Sequence, residues 1–351
     1  MAEILAEKRE KGLPLRKASA IVGRVTRSVG PGSGPLPSGI SQKPGLPTAP
    51  PCFAVTAPLS PDRENALAAL DRNRTLLAQA QGFAYKSVGD EDLAAYVFAA
   101  DPAGDELGDR PAILFFHSSA WDAGLVSQFA PHCLHFAQRG MVAIAVDYRV
   151  ESRHGTGPLE AMADARSAIR WVRRHSSELG VLPDRIVASG ASGGAYLALM
   201  AAMGSEEFDD PSDNPAISAV PDALVLFDPV VDTHTKTGFG VDRFPNAATA
   251  RKASPITLIR KGLPPMMMLA GTNDRVLPFA TTRKFAASSR RWPKRNVCEL
   301  VPFDGCGHSF FNFNVDPRLF ESSLAQADRF LVSLGYLAAA DHADSWHRLH
   351  E

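Results

Sequence analysis

The chain has 351 residues, 45% of them hydrophobic, enough to bury a sizeable core in one large domain or two small ones. Its 37 Lys and Arg nearly balance 38 Asp and Glu, leaving a formal charge of −1. That balance supplies no global field to recruit nucleic acid or an anionic membrane, and it favours a neutral or weakly polar small molecule as partner.

The first residues, among them Glu3, Glu7, Lys8, Arg9, Glu10 and Lys11, lack the apolar stretch of a secretory signal. No apolar run approaches the ~20 residues that span a bilayer, so no membrane span is expected and a cytoplasmic protein is the expectation. Nine prolines from Pro31 to Pro61, mixed with Gly and Ser and without hydrophobic periodicity, mark residues 1–60 as an arm or linker. The basic stretch from Arg16 to Arg27 reads as a solvated charged tail.

Residues 61–340 read as a single α/β domain, followed by a tail at 341–351. Strands are expected at Ala84–Val88, Ala95–Ala99, Ala112–His117, Val142–Asp147, Arg185–Ser189, Asp222–Phe227, Pro265–Ala270 and Val297–Val301. Several are wholly apolar, as strands covered on both faces by helices are. Helices are expected at Val126–Gln138, Leu159–Leu179, the run after Ser192, Ala280–Arg291 and Arg318–Leu334. In the second of these, Met162, Ala165, Ile169 and Val172 form one apolar stripe, with Arg170, Arg173 and Arg174 on other faces. Such alternation predicts a mostly parallel sheet of about eight strands flanked by helices. The polar, Gly-punctuated stretch 231–261 breaks the rhythm and is expected to be a small lid-like insertion.

Chemistry concentrates at Gly190-Ala191-Ser192-Gly193-Gly194, a G-x-S-x-G pentapeptide between a strand and a helix. Small flanking residues allow a tight turn that projects Ser192 Oγ from the sheet edge, and the helix N-terminus offers amides to developing negative charge. A serine hydroxyl needs a base, and the base needs an orienting carboxylate. Asp274 follows the strand Pro265–Ala270 and His308 follows Val297–Val301, so both stand at strand ends along one sheet edge. Asp304 is nearer in sequence but poorly placed, four residues before His308, to support the ring from behind. Oxyanion donors are expected from Gly193 and from the loop after Ala112–His117.

These segments, with Phe116-His117-Ser118-Ser119-Ala120-Trp121, Asp147-Tyr148-Arg149 and Gly307-His308, resemble as an ordered set the α/β-hydrolases of the hormone-sensitive-lipase, acetyl-esterase and feruloyl-esterase-like (BD-FAE-like) group. The resemblance runs from about Tyr85 to Leu334. It implies an α/β-hydrolase fold and a cofactor-free serine carboxylic ester hydrolase acting on short to medium acyl esters, including acetyl or feruloyl esters of carbohydrates. Ser192 would be the nucleophile, His308 the base and Asp274 its orienter. Ser118 and Ser119 stand where the group has glycines, so they join Gly193 as the expected oxyanion hole with either a hydroxyl added or the hole weakened. Trp121, Phe310 and Phe311, with 231–261, are expected to line the pocket.

Two other functions fit the same scaffold: an acyl-peptide or prolyl-type serine peptidase, and a ligand receptor without catalysis. Retention of Ser192, Asp274 and His308 favours an enzyme. No metal is expected: His132 and His135 fall on an expected surface helix without a nearby carboxylate, and Cys52, Cys133, Cys298 and Cys306 form no C-x-x-C pair. The Met266-Met267-Met268 run is read as core packing.

Overall fold

The computed structural model describes residues 61–99, 109–236 and 238–339. The expected arm at 1–60, the tail at 341–351 and Cys52 lie outside them.

All eight expected strands form: β1 (Gln81–Val88), β2 (Glu91–Phe98), β3 (Arg110–Phe116), β4 (Val142–Val146), β5 (Val181–Ala191), β6 (Ala223–Phe227), β7 (Met266–Gly271) and β8 (Cys298–Phe303). They make one sheet in the order β1-β2-β4-β3-β5-β6-β7-β8. β2 runs antiparallel to both β1 and β4, and every other pairing is parallel. β4 and β6 are buried at every position because helices cover both faces, which explains their uninterrupted Val, Ile, Leu and Ala.

Alternate residues of a strand feed two separate cores. Leu114 and Phe116 of β3 pack into one with Ile144, Met162, Tyr196 and Trp121. Ile113 and Phe115 pack into the other with Phe129, Phe136, Phe311 and Phe330. The helix Gly193–Met203 is buried all round, consistent with its Ala, Leu and Met composition.

Three details depart from the sequence reading. The segment at Val126 begins as a 3-10 turn, Val126–Phe129, before the α-helix Ala130–Gln138, with Pro131 in its first turn. That helix is not a surface one: Cys133 and His132 are buried, His132 among the rings of Phe115, Phe129, Phe227 and Phe320. Burial drives its pKa down to about 3, so it is a neutral core ring. The helix expected at Leu159–Leu179 runs Pro158–Arg174, and Arg170, expected away from its apolar stripe, is buried, where Asp209 and Asp213 pair with it. A buried guanidinium is tolerated only with such partners.

The stretch 231–261 folds into 3-10 turns at Val241–Arg243 and Pro255–Thr257 around a short helix, Ala247–Lys252. Thr233 Oγ1 donates to the Ala250 carbonyl within the stretch, and Tyr196 Oη donates to the Ala253 carbonyl, fastening it to the domain. Among the described residues no helix is long and apolar enough to cross a membrane.

Candidate active site

The site is assembled by the carboxyl ends of β5 to β8. Ser192 follows β5 directly and holds φ 52°, ψ −117°, outside the ordinary wells of a non-glycine residue. Such a conformation costs on the order of 1–3 kcal/mol and persists only where the surroundings enforce it. Here its N–H donates to the Phe227 carbonyl (3.0 Å) and its own carbonyl accepts from Tyr196 (3.0 Å) and Val230 (3.3 Å). Glycine is required next to it. A Cβ on Gly194 would collide with the carbonyl oxygens of Phe116 and His117, and one on Gly193 with that of Ser119. The serine turn and the loop after β3 therefore touch through bare backbone.

His308 and Asp274 meet: the ring Nδ1 and Asp274 Oδ2 are 2.7 Å apart. Asp274 Oδ1 accepts the N–H groups of Val276 (2.8 Å) and Leu277 (2.9 Å). The two loops are stitched by main-chain bonds, Thr272 N–H to the Phe303 carbonyl (3.0 Å) and Asn273 N–H to the Cys306 carbonyl (2.9 Å). Burial pushes the Asp274 carboxyl up, but the His308 bond and the two amides outweigh it and hold it below its ordinary value. Burial likewise pushes the His308 ring down, and the Asp274 bond with the charges of Asp228 and Asp274 more than reverses this, raising it. With Nδ1 donating to Asp274, Nε2 is the free acceptor. Asp304 is exposed.

Sequence reasoning missed Asp228. It follows β6 directly, its side chain is fully buried, and it accepts from Gly271 N–H (3.1 Å) and Ser309 N–H (2.8 Å). Its Oδ2 lies 3.9 Å from His308 Nδ1. Burial raises its carboxyl to about 6 against the opposing pull of His308. The signal was present in Phe227-Asp228-Pro229, an acid at a strand end like Asp274. Asp228, Asp274 and His308 bring one donor atom each within 4.8 Å of one another, but the ring nitrogen concerned is already bonded to Asp274.

The loop after β3 is held mainly by side chains. Tyr148 Oη donates to the His117 carbonyl (2.8 Å), lies 2.8 Å from Ser119 Oγ, and its ring stacks on His117 at 4.0 Å. Ser119 Oγ also accepts the Trp121 N–H (3.0 Å), so this hydroxyl braces the loop and is not free to act as an additional oxyanion donor. Ser118 requires a correction too: its N–H donates to Gln128 Oε1 (2.6 Å) and is already occupied. Among the described residues no protein acceptor takes the N–H of Ser119 or Gly193.

Of the expected pocket residues, Phe310 and Phe311 are corrected. They are 2% and 1% exposed and belong to the aromatic core, Phe310 stacked on Phe303 and Phe311 on Phe129. They follow His308 in sequence but anchor its loop from below. Trp121, at φ 63°, packs against Tyr196, Phe239 and Phe244 and lines a cavity of about 430 Å³ with Glu151, Thr156, Asp242 and Arg243. Arg243 pairs with Asp122 and Glu151, tying the 231–261 segment to the Trp121 loop.

The BD-FAE family matches residues 102–288. The probable carboxylic ester hydrolase LipM of Mycobacterium tuberculosis is 29% identical over 216 residues, 55% of this chain and 48% of LipM. The chain thus spans about half the length of the curated relatives it matches. Thermogutta terrifontis esterase 2 phosphorylated by paraoxon is 42% identical with a TM-score of 0.69, covering 74% of this chain and 96% of that one. The same esterase with propionate bound is 40% identical, TM-score 0.70, covering 75% and 97%. Sheet order, strand-end loops and these likenesses agree: the chain belongs to the BD-FAE family, with the α/β-hydrolase fold of carboxylic ester hydrolases.

Proposed function

We propose that the chain is a serine carboxylic ester hydrolase working without a cofactor on short to medium acyl esters. The observation that carries this reading is the His308–Asp274 bond at the same sheet edge as the strained Ser192 turn. Ser192 Oγ attacks the ester carbonyl carbon as its proton passes to His308 Nε2. Negative charge collects on the carbonyl oxygen, where the Gly193 and Ser119 amides and the N-terminus of Gly193–Met203 stabilise it. The ester C–O bond breaks, the alcohol leaves with the His308 proton, and an acyl group remains on Ser192. Water, deprotonated by His308, then attacks the acyl carbon and releases the acid and free Ser192.

Asp274 holds the imidazole in the tautomer this cycle needs and stabilises its charged form. The short-acyl preference draws support from the esterase crystallised with propionate and with butyrate. Hydrolysis of p-nitrophenyl esters from acetate to decanoate, run beside Ser192→Ala, tests the reading. Turnover highest on short chains and abolished by Ser192→Ala is expected. Turnover surviving Ser192→Ala would overturn the mechanism, and binding of esters without turnover would favour a receptor.

A further inference from the structure

Two buried carboxylates face one imidazole here, although a single one suffices to orient it. We propose that Asp228 is a second orienting carboxylate for His308, placed to accept the Nδ1 proton when Asp274 does not and fixing the histidine loop through Ser309. The inference rests on the serine-esterase reading and adds a positioning residue to it.

Position makes the case. Parallel neighbours β6 and β7 end side by side, so the residue after β6 and the loop after β7 open onto the same ring. Asp228 lies between the two residues that tether the nucleophile, since Phe227 accepts the Ser192 N–H and Val230 donates to the Ser192 carbonyl. It also lies against the loop of the base, where Ser309 N–H donates to its Oδ2, the same oxygen that stands 3.9 Å from Nδ1. Nucleophile and base are therefore fastened to one short segment, the nucleophile to Phe227 and Val230 and the base loop to Asp228 between them. Asp228 holds φ 39°, a strained value for a non-glycine side chain, which the fold maintains.

Its charge is the unexplained feature. The two amide bonds need only acceptors, whereas burying a carboxylate costs several kcal/mol unless a positive partner repays it. The titratable groups facing it are Asp274 from the loop after β7, and His308 and Cys306 from the loop after β8. His308 is the group among these that gains a positive charge, and it gains that charge during the reaction, when the imidazolium forms. A rotation of the ring that closes 3.9 Å to hydrogen-bond length would let Asp228 take over from Asp274.

The full chain, Asp228→Asn, Asp274→Asn and the double variant, with Ser192→Ala as reference, would be assayed on p-nitrophenyl butyrate across pH. His308 ring titration by NMR in the Ser192→Ala background runs alongside. Loss of a lone orienting acid costs roughly 10,000-fold in rate. With Asp228 in reserve, Asp274→Asn should fall only about 100-fold and the double variant to about 10,000-fold. Asp228→Asn alone should move the acid limb of kcat/KM to lower pH. Asp274→Asn as inactive as the double variant, with the Asp228→Asn limb unmoved, would overturn the proposal while Ser192→Ala keeps the esterase reading intact. If Asp228→Asn does not fold by circular dichroism, the ring titration of Asp274→Asn decides. A His308 pKa still above about 6.5 supports Asp228, and one at or below it refutes the role. If the wild type fails to hydrolyse any ester, that reading falls, and the ring titration still reports on Asp228.

Discussion

On one side of Ser192, main-chain bonds run directly between the loops after β5, β6, β7 and β8, Ser192 to Phe227, Thr272 to Phe303 and Asn273 to Cys306, and the Asp228 and Asp274 carboxylates add to them from within those loops. On the other side, the Ser118–Gly124 loop is held largely by side chains reaching in from elsewhere, with Tyr148 on His117 and Ser119, Gln128 on Ser118, and Arg243 on Asp122. Main-chain bonding demands small residues at fixed spacings and tolerates no bulk. Side-chain bracing tolerates Ser118 and Ser119 where the group has glycines, because Ser119 Oγ becomes part of the brace. Serine at the second position is thus a support exchanged for a glycine's freedom, and the proposed hole keeps two amides, those of Ser119 and Gly193.

The largest effect should come where the two sides touch. Gly194→Ala places a methyl group on the Phe116 and His117 carbonyl oxygens, both rigid backbone. We expect a destabilisation beyond about 4 kcal/mol, and with it loss of folded protein. A soluble, fully active Gly194→Ala enzyme by thermal melting and ester assay would show that the contact is not tight. Next, Phe311→Ala removes a ring packed on Phe129 and Phe227 beneath the His308 loop and should cost about 3–5 kcal/mol. Because the ring is core and not pocket wall, the ranking of acyl chain lengths should stay unchanged. A shift toward longer chains would return Phe311 to the pocket.

These two positions mark what the sequence made legible. All eight strands were readable because buried parallel strands are nearly continuous apolar runs, and the serine turn because only glycine permits its close approach. Asp274 and His308, which the structure brings together, and the proposed nucleophile Ser192 were picked out by chain order and strand ends. Phe310 and Phe311 misled because adjacency to His308 in sequence says nothing of which sheet face a ring enters, and the aromatic core below the loop took both. Gln128 and Asn312 were invisible for a related reason. Gln128 Nε2 donates to Asn312 Oδ1 (3.0 Å) and Asn312 Nδ2 to the Ser309 carbonyl (3.0 Å), so a polar relay joins the two sides of the cleft across 184 residues of sequence. No local pattern encodes it.

A smaller change tests the side-chain brace. Tyr148→Phe keeps the ring on His117 but removes the hydroxyl from the His117 carbonyl and Ser119 Oγ. Leaving buried polar groups unpaired costs about 1–3 kcal/mol. Stability should drop by that amount, and kcat should fall about 10-fold with KM nearly unchanged, since the proposed donor Ser119 loosens without losing its amide. An unaltered kcat would mean that the loop keeps its position by packing alone.

The smallest effect is one of pH, and the two properties should move in opposite directions. The proposed base must be neutral, and burial, which lowers the His308 pKa, is outweighed by Asp274 and Asp228, so it stays protonated above the ordinary value near 6.5. Activity should therefore be lost on acidification at a pH above about 6.5, earlier than for an unperturbed histidine. For stability the sign is reversed. A folded-state pKa raised above the unfolded one stabilises the fold fully below the unfolded pKa and ceases to do so as pH rises through the folded value. Asp228, raised by burial to about 6, has the same sign, with its contribution fading between its ordinary carboxylate range and about 6. The wild type should thus melt at lower temperature at pH 8 than at pH 6 relative to His308→Gln, while its kcat/KM is higher at pH 8. A difference in melting temperature between the two proteins that is the same at both pH values would show that the ring is not held charged by the pair of carboxylates. Because the three groups titrate together, the two limbs belong to the cluster and not to His308 alone.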